Sequence, residues 1–259
     1  MRLIPNEVLY AEKCLKYNRI NNSDPIKSVR EVILYFHFIH EMSQEDIFEN
    51  VKHYIINCDM EHKIDFDYLK DTYIDKVIKT TKGIKTIESV GITQKEIDSI
   101  MNNKYAHSYR KILFVLLVAF KSKYKTNGIK NDKIEMDEVE ILKDAHVTMT
   151  KAKRYDMWRT FEGDGLITIG ECKQGNETFL HYIDYDGEDY VIEVTDFDDY
   201  YMFFEQYCKG GKLKYCEVCG KLILVKGNAS TKYCDKCAKQ VKNEKIKEIM
   251  QRKRECYNS

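Results

Sequence analysis

Four cysteines near the C-terminus have the spacing of a metal-binding site. Two residues separate Cys216 from Cys219, fourteen residues follow, and Cys234 and Cys237 repeat the short spacing. Two intervening residues let both sulfurs of a tight turn face one point, and two such turns supply four thiolates, a common ligand set of structural zinc. Gly220 permits the left-handed backbone that such a turn needs. The sequence therefore predicts one structural Zn²⁺ ion with no open coordination position.

The alternatives for these cysteines are disulfide bonds or a chance spacing. The first residues, Met-Arg-Leu-Ile-Pro-Asn-Glu, contain no apolar signal core, so we expect a cytoplasmic protein whose thiols stay reduced. The longest apolar run, residues 112–120, is far shorter than the roughly 20 residues that a membrane span requires. We therefore expect no membrane association, and we interpret the scattered Cys14, Cys58, Cys172, Cys208 and Cys256 as free thiols.

The net charge of zero conceals an asymmetry along the chain. Residues 209–259 carry fourteen Lys or Arg against five Asp or Glu, so the other 208 residues carry a balance of −9. Residues 174–208 contain ten acids and no Lys or Arg. A basic end on an acidic chain favours contact with nucleic acid or another polyanion, the alternative being charge that serves solubility.

The spacing of apolar residues predicts an α+β protein that is mostly helical. Residues 1–82 are predicted to form a helical domain, with helices over 8–17, 29–41, 44–57 and 66–80, and with Ser43 as an N-cap. A second domain is predicted over 93–207. It starts with the capping box Thr93 to Glu96, followed by an apolar core helix over 105–123.

The rest of the second domain is predicted to contain two helices and three strands. The first helix spans about 137–145. The second starts at a cap formed by Thr148 or Thr150 and ends at about residue 162. Strands follow over 166–169, 178–185 and 190–195, with a polar tip at 171–176 and a hairpin-type turn at Asp186-Gly187. The acidic and aromatic stretch from 196 to 207 is then expected to dock on this domain through its aromatic side chains.

This order of helices and hairpin resembles a winged-helix unit with a β-hairpin wing. Phe161-Glu162-Gly163-Asp164-Gly165-Leu166-Ile167 is similar to the Leu-Glu-Glu-x-Gly-Leu-Ile segment between recognition helix and wing in many winged-helix proteins. The resemblance implies a recognition helix that presents Lys151, Lys153, Arg154 and Arg159 to phosphates or guanine edges. Arg154 departs from the pattern, since a small apolar residue is common there. The alternative is the solvated face of an ordinary helix.

The C-terminal residues are predicted to form a small metal-held module and a basic tail. Gly210-Gly211 is expected to be a hinge into a module over 212–240, which resembles a zinc ribbon or a treble-clef pair of knuckles. Residues 241–259 are expected to be a basic helical tail. Four cations of this region are predicted to contact DNA phosphates without sequence preference: Lys239, Lys242, Arg252 and Arg254.

The whole arrangement resembles a group of uncharacterised phage and mobile-element proteins from low-GC Gram-positive bacteria. The residues that carry the resemblance are 197–207, 216–220 and 233–237. In that group a helical region and a winged-helix-like region precede a four-cysteine finger. The resemblance implies a role in phage replication, regulation or host takeover, and it implies no particular activity.

These features predict a non-enzymatic protein that binds double-stranded DNA as a regulator or replication accessory factor. The alternative is an adaptor whose zinc ribbon and acidic 174–208 segment bind a host or phage protein. An enzyme is disfavoured because the sequence has no Gly-rich phosphate loop, nucleophile elbow or complete metal–carboxylate motif. His37, His40 and Glu41 also lack the order of the zinc-peptidase motifs.

Overall fold

The protein is an α+β structure in which helices predominate, as predicted. The structure is a computed structural model, and it describes residues 6–21, 24–101, 104–130, 134–135, 138–172, 175–227 and 231–257. The buried apolar side chains of these residues form three clusters, which lie in the N-terminal helices, the middle of the chain and the C-terminal finger.

Residues 6–80 form helices around the first cluster. The helices are α1 (Glu7–Lys16), α2 (Pro25–Phe38), α3 (Gln44–Asn57), α4 (Phe66–Tyr68) and α5 (Ile74–Thr80), with a 3₁₀ turn (Glu61–Lys63) before α4 and a π turn (Leu69–Tyr73) after it. Asn6, Asp24 and Ser43 each accept a backbone N–H at the start of a helix, so the predicted Ser43 cap is confirmed.

The middle of the chain surrounds one buried helix. Its elements are β1 (Val90–Thr93), α6 (Gln94–Ile100), α7 (His107–Asn127), β2 (Ile134–Glu135), α8 (Glu138–Asp144), α9 (Lys151–Gly163), β3 (Ile167–Cys172), β4 (Gly175–Leu180), β5 (Tyr190–Val194) and α10 (Tyr201–Lys209). The predicted capping box at Thr93 and Glu96 is present. Helix α7 is buried on all sides from Ile112 to Phe120, which confirms its predicted place in the core.

Two antiparallel sheets pack on this core. In the first, the strand order is β2–β4–β3, and β3 and β4 form a hairpin paired from Ile167 opposite Leu180 to Cys172 opposite Gly175. In the second, β1 pairs with β5, and Val90 lies opposite Val194. The short strand β2 lies between α7 and α8 in sequence, so the chain runs helix, strand, helix, helix and hairpin from residue 107 to 180.

The predicted turn at Asp186-Gly187 does not join two paired strands. Strand β4 ends at Leu180, before the predicted end at 185, and β5 pairs with β1 and not with β4. Buried polar groups hold the intervening loop: Glu96 accepts the backbone N–H of Asp184 at 2.8 Å, and Lys121 Nζ donates to the Asp184 carbonyl at 3.2 Å. These contacts direct the chain to β1, which sequence alone did not predict as a strand.

The acidic and aromatic stretch docks on the middle core as expected. Phe197, Tyr200, Tyr201 and Phe204 belong to the buried cluster around α7, and the Phe204 ring stacks on Phe114 with 5.2 Å between ring centroids. The chain then enters the C-terminal finger, which consists of β6 (Lys212–Tyr215), β7 (Leu222–Val225) and α11 (Asp235–Tyr257).

Carboxylates at 196–199 connect the three clusters. Lys13 of α1 forms a salt bridge with Asp196, and both side chains are almost fully buried. Asp198 accepts from Lys13 at 3.4 Å and from Arg19 at 2.9 Å. Asp199 accepts the backbone N–H of Leu222, in β7 of the finger, at 3.4 Å. The N-terminal helices and the finger are therefore both attached to the same four-residue segment.

Replacing Lys13 with methionine should lower the free energy of unfolding by about 3 kcal/mol. The substitution leaves Asp196 buried without its principal cation, and breaking a buried pair from one side typically costs this much. Denaturant unfolding followed by circular dichroism measures the change. Lys79→Met is the matched control, because its pair with Asp75 is exposed and should contribute well under about 1 kcal/mol. Equal losses in both variants would contradict a central role for the Lys13 pair.

Glu31 should make the fold less stable as the pH rises from about 4.5 through 6. Burial and the neighbouring Glu7 raise the pKa of Glu31 to about 6, and Arg30 only partly opposes them. One carboxylate oxygen accepts from Arg30 at 2.6 Å, and the other has no hydrogen-bond partner. A folded pKa above the unfolded value adds stability below about pH 4.5 that is lost as the pH rises through 6.

Glu31→Gln should therefore raise the free energy of unfolding by about 2 kcal/mol at pH 7.5 and change it little at pH 4. The Gln carbonyl can still accept from Arg30. Thermal unfolding at the two pH values measures the difference, with the exposed Glu45→Gln as the control that should show no such pH dependence. A destabilised Glu31→Gln at pH 7.5 would contradict the assigned cost of ionisation.

Candidate metal centre and cationic helix

The four predicted cysteines converge on one point in the structure. Their sulfur atoms all lie within 4.8 Å of one another, and the Sγ atoms of Cys219 and Cys234 are 3.8 Å apart. Four sulfurs arranged tetrahedrally at about 2.3 Å from a zinc ion would be about 3.8 Å from each other. The cluster therefore has the size and the donor atoms of a four-thiolate metal site, and the predicted ligands are correctly grouped.

The first cysteine pair lies on a knuckle between β6 and β7. The backbone N–H of Gly220 donates to the Cys216 carbonyl at 2.9 Å, and the N–H of Cys216 donates to Lys221 at 2.8 Å. Gly220 has φ +65°, and a Cβ there would lie 2.3 Å from the Tyr17 ring. Glycine is thus needed both for the turn and for the close approach of the N-terminal helices.

The second pair lies at the start of α11. Cys234 directly precedes the helix and Cys237 is in its first turn, where it is buried. One cysteine pair thus lies on a hairpin and the other at a helix start, and the choice between a zinc ribbon and a treble clef stays a prediction. The predicted boundary at residue 240 falls inside α11, so the basic tail is a continuation of the finger.

Backbone donors favour the thiolate form of one cysteine of the cluster, Cys216. Burial raises the pKa of Cys216, but hydrogen bonds from the backbone N–H groups of Cys234, Cys219 and Val218 outweigh burial. The net effect lowers the pKa of Cys216 to about 6. Burial and the neighbouring Cys234 thiol raise the pKa of Cys237. Four adjacent sulfurs cannot all be ionised without a cation, so a bound metal ion would remove the repulsion that opposes ionisation of the last thiols.

Removing one ligand should release the metal and unfold the finger. We expect wild-type protein to contain one equivalent of metal by elemental analysis, and Cys216→Ser or Cys234→Ser to contain much less than one. The matched control is Cys208→Ser, because Cys208 is a half-buried cysteine of α10 outside the cluster. Proteolysis should cut the two ligand variants after residue 209 and leave the earlier residues protected. Metal-free wild-type protein with a protease-resistant finger would contradict this prediction.

Helix α9 presents a cationic face to solvent. Met157, Trp158 and Phe161 are buried against the core, and the side chain of Thr150 caps the helix by accepting the Lys153 N–H. Three of the four predicted cations on this helix are exposed: Lys151, Lys153 and Arg159. Within the described ranges, no carboxylate forms a salt bridge with any of the three. This face therefore carries three cations, together with the exposed Asp156, which lies three residues from both Lys153 and Arg159.

Two details of α9 differ from the expectation. Arg154 is only half-exposed, and its Nε is buried without a hydrogen-bond partner, so it belongs partly to the core side of the helix. Tyr155, which sequence reasoning had not selected, is 62% exposed, and the Arg159 guanidinium carbon is 5.7 Å from the centroid of its ring. The i, i+4 spacing of Tyr155 and Arg159 was the signal that could have identified this pair.

The predicted cations of the C-terminal helix lie on an exposed segment. Lys239, Lys242 and Arg252 are exposed on α11, whereas the Arg254 side chain lies outside the described residues. Nothing in the described structure pairs the first three with a carboxylate.

Some acids of the 174–208 segment form contacts inside the fold, and others are exposed to solvent. Asp196, Asp198 and Asp199 interact with Lys13, Arg19 and the finger, and they form no salt bridge with α9 among the described residues. Acids that remain exposed are Asp186, Glu188, Asp189 and Glu193. The recognition-helix candidate is thus not covered by the buried acids of this segment.

Comparisons with protein-family models, with curated proteins and with solved structures find no match to this chain. Across the ranges that the structure describes, no helix has both the length and the apolar character needed to cross a membrane.

Proposed function

We propose that the protein is a non-enzymatic, double-stranded DNA-binding protein that uses residues 107–180 as a winged helix. The observation that carries the proposal is the solvent-facing side of α9, where Lys151, Lys153, Tyr155 and Arg159 are exposed while the opposite side is buried. A helix can enter a major groove only if such a face is free.

The chain order supports the same proposal. Helix α9 follows α8 after a short turn and precedes the β3–β4 hairpin, and β2 completes the sheet in the order β2–β4–β3. A winged helix has this succession of helix, strand, helix, recognition helix and wing. On this proposal α7 is the supporting core helix, and the β3–β4 hairpin is the wing.

The position of the positive charge along α9 also favours a polyanionic ligand. Lys151, Lys153 and Arg154 all lie in the first turn, which contains no acid. The start of a helix favours negative charge, so these cations cost stability locally unless a ligand compensates. A DNA phosphate at this position would interact with both the cations and the N-terminal backbone N–H groups.

We further propose that the ion in the cysteine cluster is Zn²⁺ in a structural role. Four thiolates leave no position for a substrate or a water molecule, and they match the soft ligand preference of zinc among abundant ions. The finger would then fix β6, β7 and α11 beside the DNA-binding unit. A role as a phage or mobile-element regulator or replication accessory factor is part of this proposal and rests on the sequence resemblance.

The DNA proposal is tested by titrating a mixed-sequence duplex with full-length protein across a salt series. We expect binding that weakens steeply with salt, because each phosphate contact releases about one counterion. Lys151→Ala/Lys153→Ala/Arg159→Ala should weaken binding at least tenfold at low salt and reduce the salt slope by about 2 to 3. Arg154 is left unchanged because its Nε is buried and its replacement would disturb packing.

The matched control removes three exposed lysines elsewhere, Lys63, Lys76 and Lys95, and should retain binding within about twofold. Equal losses in the two triple variants would assign binding to overall charge and not to α9. Failure of wild-type protein to bind duplex at low salt would overturn the DNA proposal and favour the protein-adaptor alternative.

A further inference from the structure

Most of helix α11 extends from the finger into solvent. Its first turn contains the buried Cys237, and Val241 is half-buried, but every side chain from 242 to 253 is exposed. Glu244 and Glu248 follow Cys237 and Val241 at helical spacing, so these two acids share the face that is turned towards the finger. The opposite face of the helix has no partner among the described residues.

That opposite face combines exposed apolar side chains with cations and carries no acid among the described side chains. Ile246, Ile249 and Met250 are 46%, 54% and 57% exposed. Lysines that share this face by three- and four-residue spacing are Lys239, Lys242 and Lys253. A phosphate backbone would neutralise the lysines but would leave the isoleucines and the methionine in water. The face therefore fits a surface that is apolar in the middle and acidic at its edge.

The outer face of the β1–β5 sheet is such a surface. Tyr190 is 51% exposed and Val191 is 41% exposed. Gly91 of β1 is opposite Glu193, and a Cβ on this glycine would be 2.5 Å from the Tyr190 ring. The absence of a side chain at Gly91 thus lets the aromatic ring lie across the sheet. The exposed acids Glu188, Asp189 and Glu193 flank these two apolar side chains.

We propose that α11 of one copy of this protein docks on the outer β1–β5 face of a second copy. Both surfaces keep large apolar side chains exposed within a single chain. They are complementary in charge, with three lysines on the helix face and three acids on the sheet face. Glu188 and Asp189 directly precede β5 and Glu193 lies within it, so the acids stand on both sides of the exposed Tyr190 and Val191.

The contact should occur twice in a closed dimer. One helix on a two-stranded sheet buries less than the roughly 1,600 Å² of a standard stable interface. Reciprocal docking of two copies doubles the buried area and leaves no unpaired patch, whereas a one-way contact would continue into a filament. In this dimer Lys239 and Lys242 lie at a protein interface, and the proposed DNA site is confined to α9 and the hairpin.

Sedimentation velocity of full-length, metal-loaded protein over a range of micromolar concentrations tests the proposal. We expect a species of two chains that dissociates on dilution. Ile249→Asp and Val191→Asp should each raise the dimer dissociation constant at least tenfold, since each places a charge in the centre of the contact. Ile56→Asp is the matched control, because Ile56 is 44% exposed on α3, which belongs to neither patch, and this variant should leave the constant unchanged.

A charge exchange separates this contact from a general loss of solubility or folding. Lys242→Glu alone and Asp189→Lys alone should each weaken the dimer, and the double variant should recover most of the affinity because each reversed charge meets the other. The α9 triple variant should remain a dimer, so failure of the DNA proposal would leave this result unaffected. Ile249→Asp and Val191→Asp should both keep the wild-type circular dichroism spectrum.

Three results would overturn the proposal. The first is a monomer at all concentrations tested. The second is a dimer that Ile249→Asp does not weaken. The third is loss of duplex-DNA or anionic-vesicle binding in Ile249→Asp while the wild-type protein is monomeric, which would assign the helix face to a nucleic acid or a lipid surface.

Discussion

The arrangement of this protein depends on the buried carboxylates between residues 196 and 199. Asp196 and Asp198 hold Lys13 and Arg19 from the N-terminal helices, while Asp199 accepts a backbone N–H from the finger. The three apolar clusters are separate, and buried polar contacts of this segment link them. Buried ionic contacts have narrow geometric requirements, so they fix orientation more than they add stability. This segment thus determines how the helices, the middle core and the finger meet.

The metal site and the N-terminal helices are consequently coupled through packing. The Tyr17 ring occupies the space where Gly220 lacks a side chain, and Lys13 Nζ lies 5.2 Å from the ring centroid of Tyr215, next to the first ligand. A finger that unfolds on loss of metal would expose one side of this junction. A metal ion bound by the four cysteines would therefore stabilise more than the small cluster of the finger itself.

The proposed DNA-binding helix and the proposed dimer surfaces occupy different elements. Helix α9 has its exposed cations at one end of the middle core, and the outer face of β5 carries the exposed acids. Keeping these charges on separate surfaces lets one chain bind a polyanion and a second copy without competition between the two. Three further acids, Asp196, Asp198 and Asp199, are engaged inside the fold and so add little to the repulsion of DNA.

The sequence by itself determined the features that depend on neighbours along the chain. The cysteine spacing predicted the grouping of Cys216, Cys219, Cys234 and Cys237. Ser43 and the Thr93 to Glu96 box identified helix starts, and the apolar run at 112–120 identified the core helix. Tertiary structure alone decided the pairing of β5 with β1, the partial burial of Arg154 and the pairing of Asp196 with Lys13, which is 183 residues away. Caps and knuckles close within a few residues, so local composition specifies them. Strand partners and buried ion pairs are chosen by what the folded core brings together, and no local pattern records that choice.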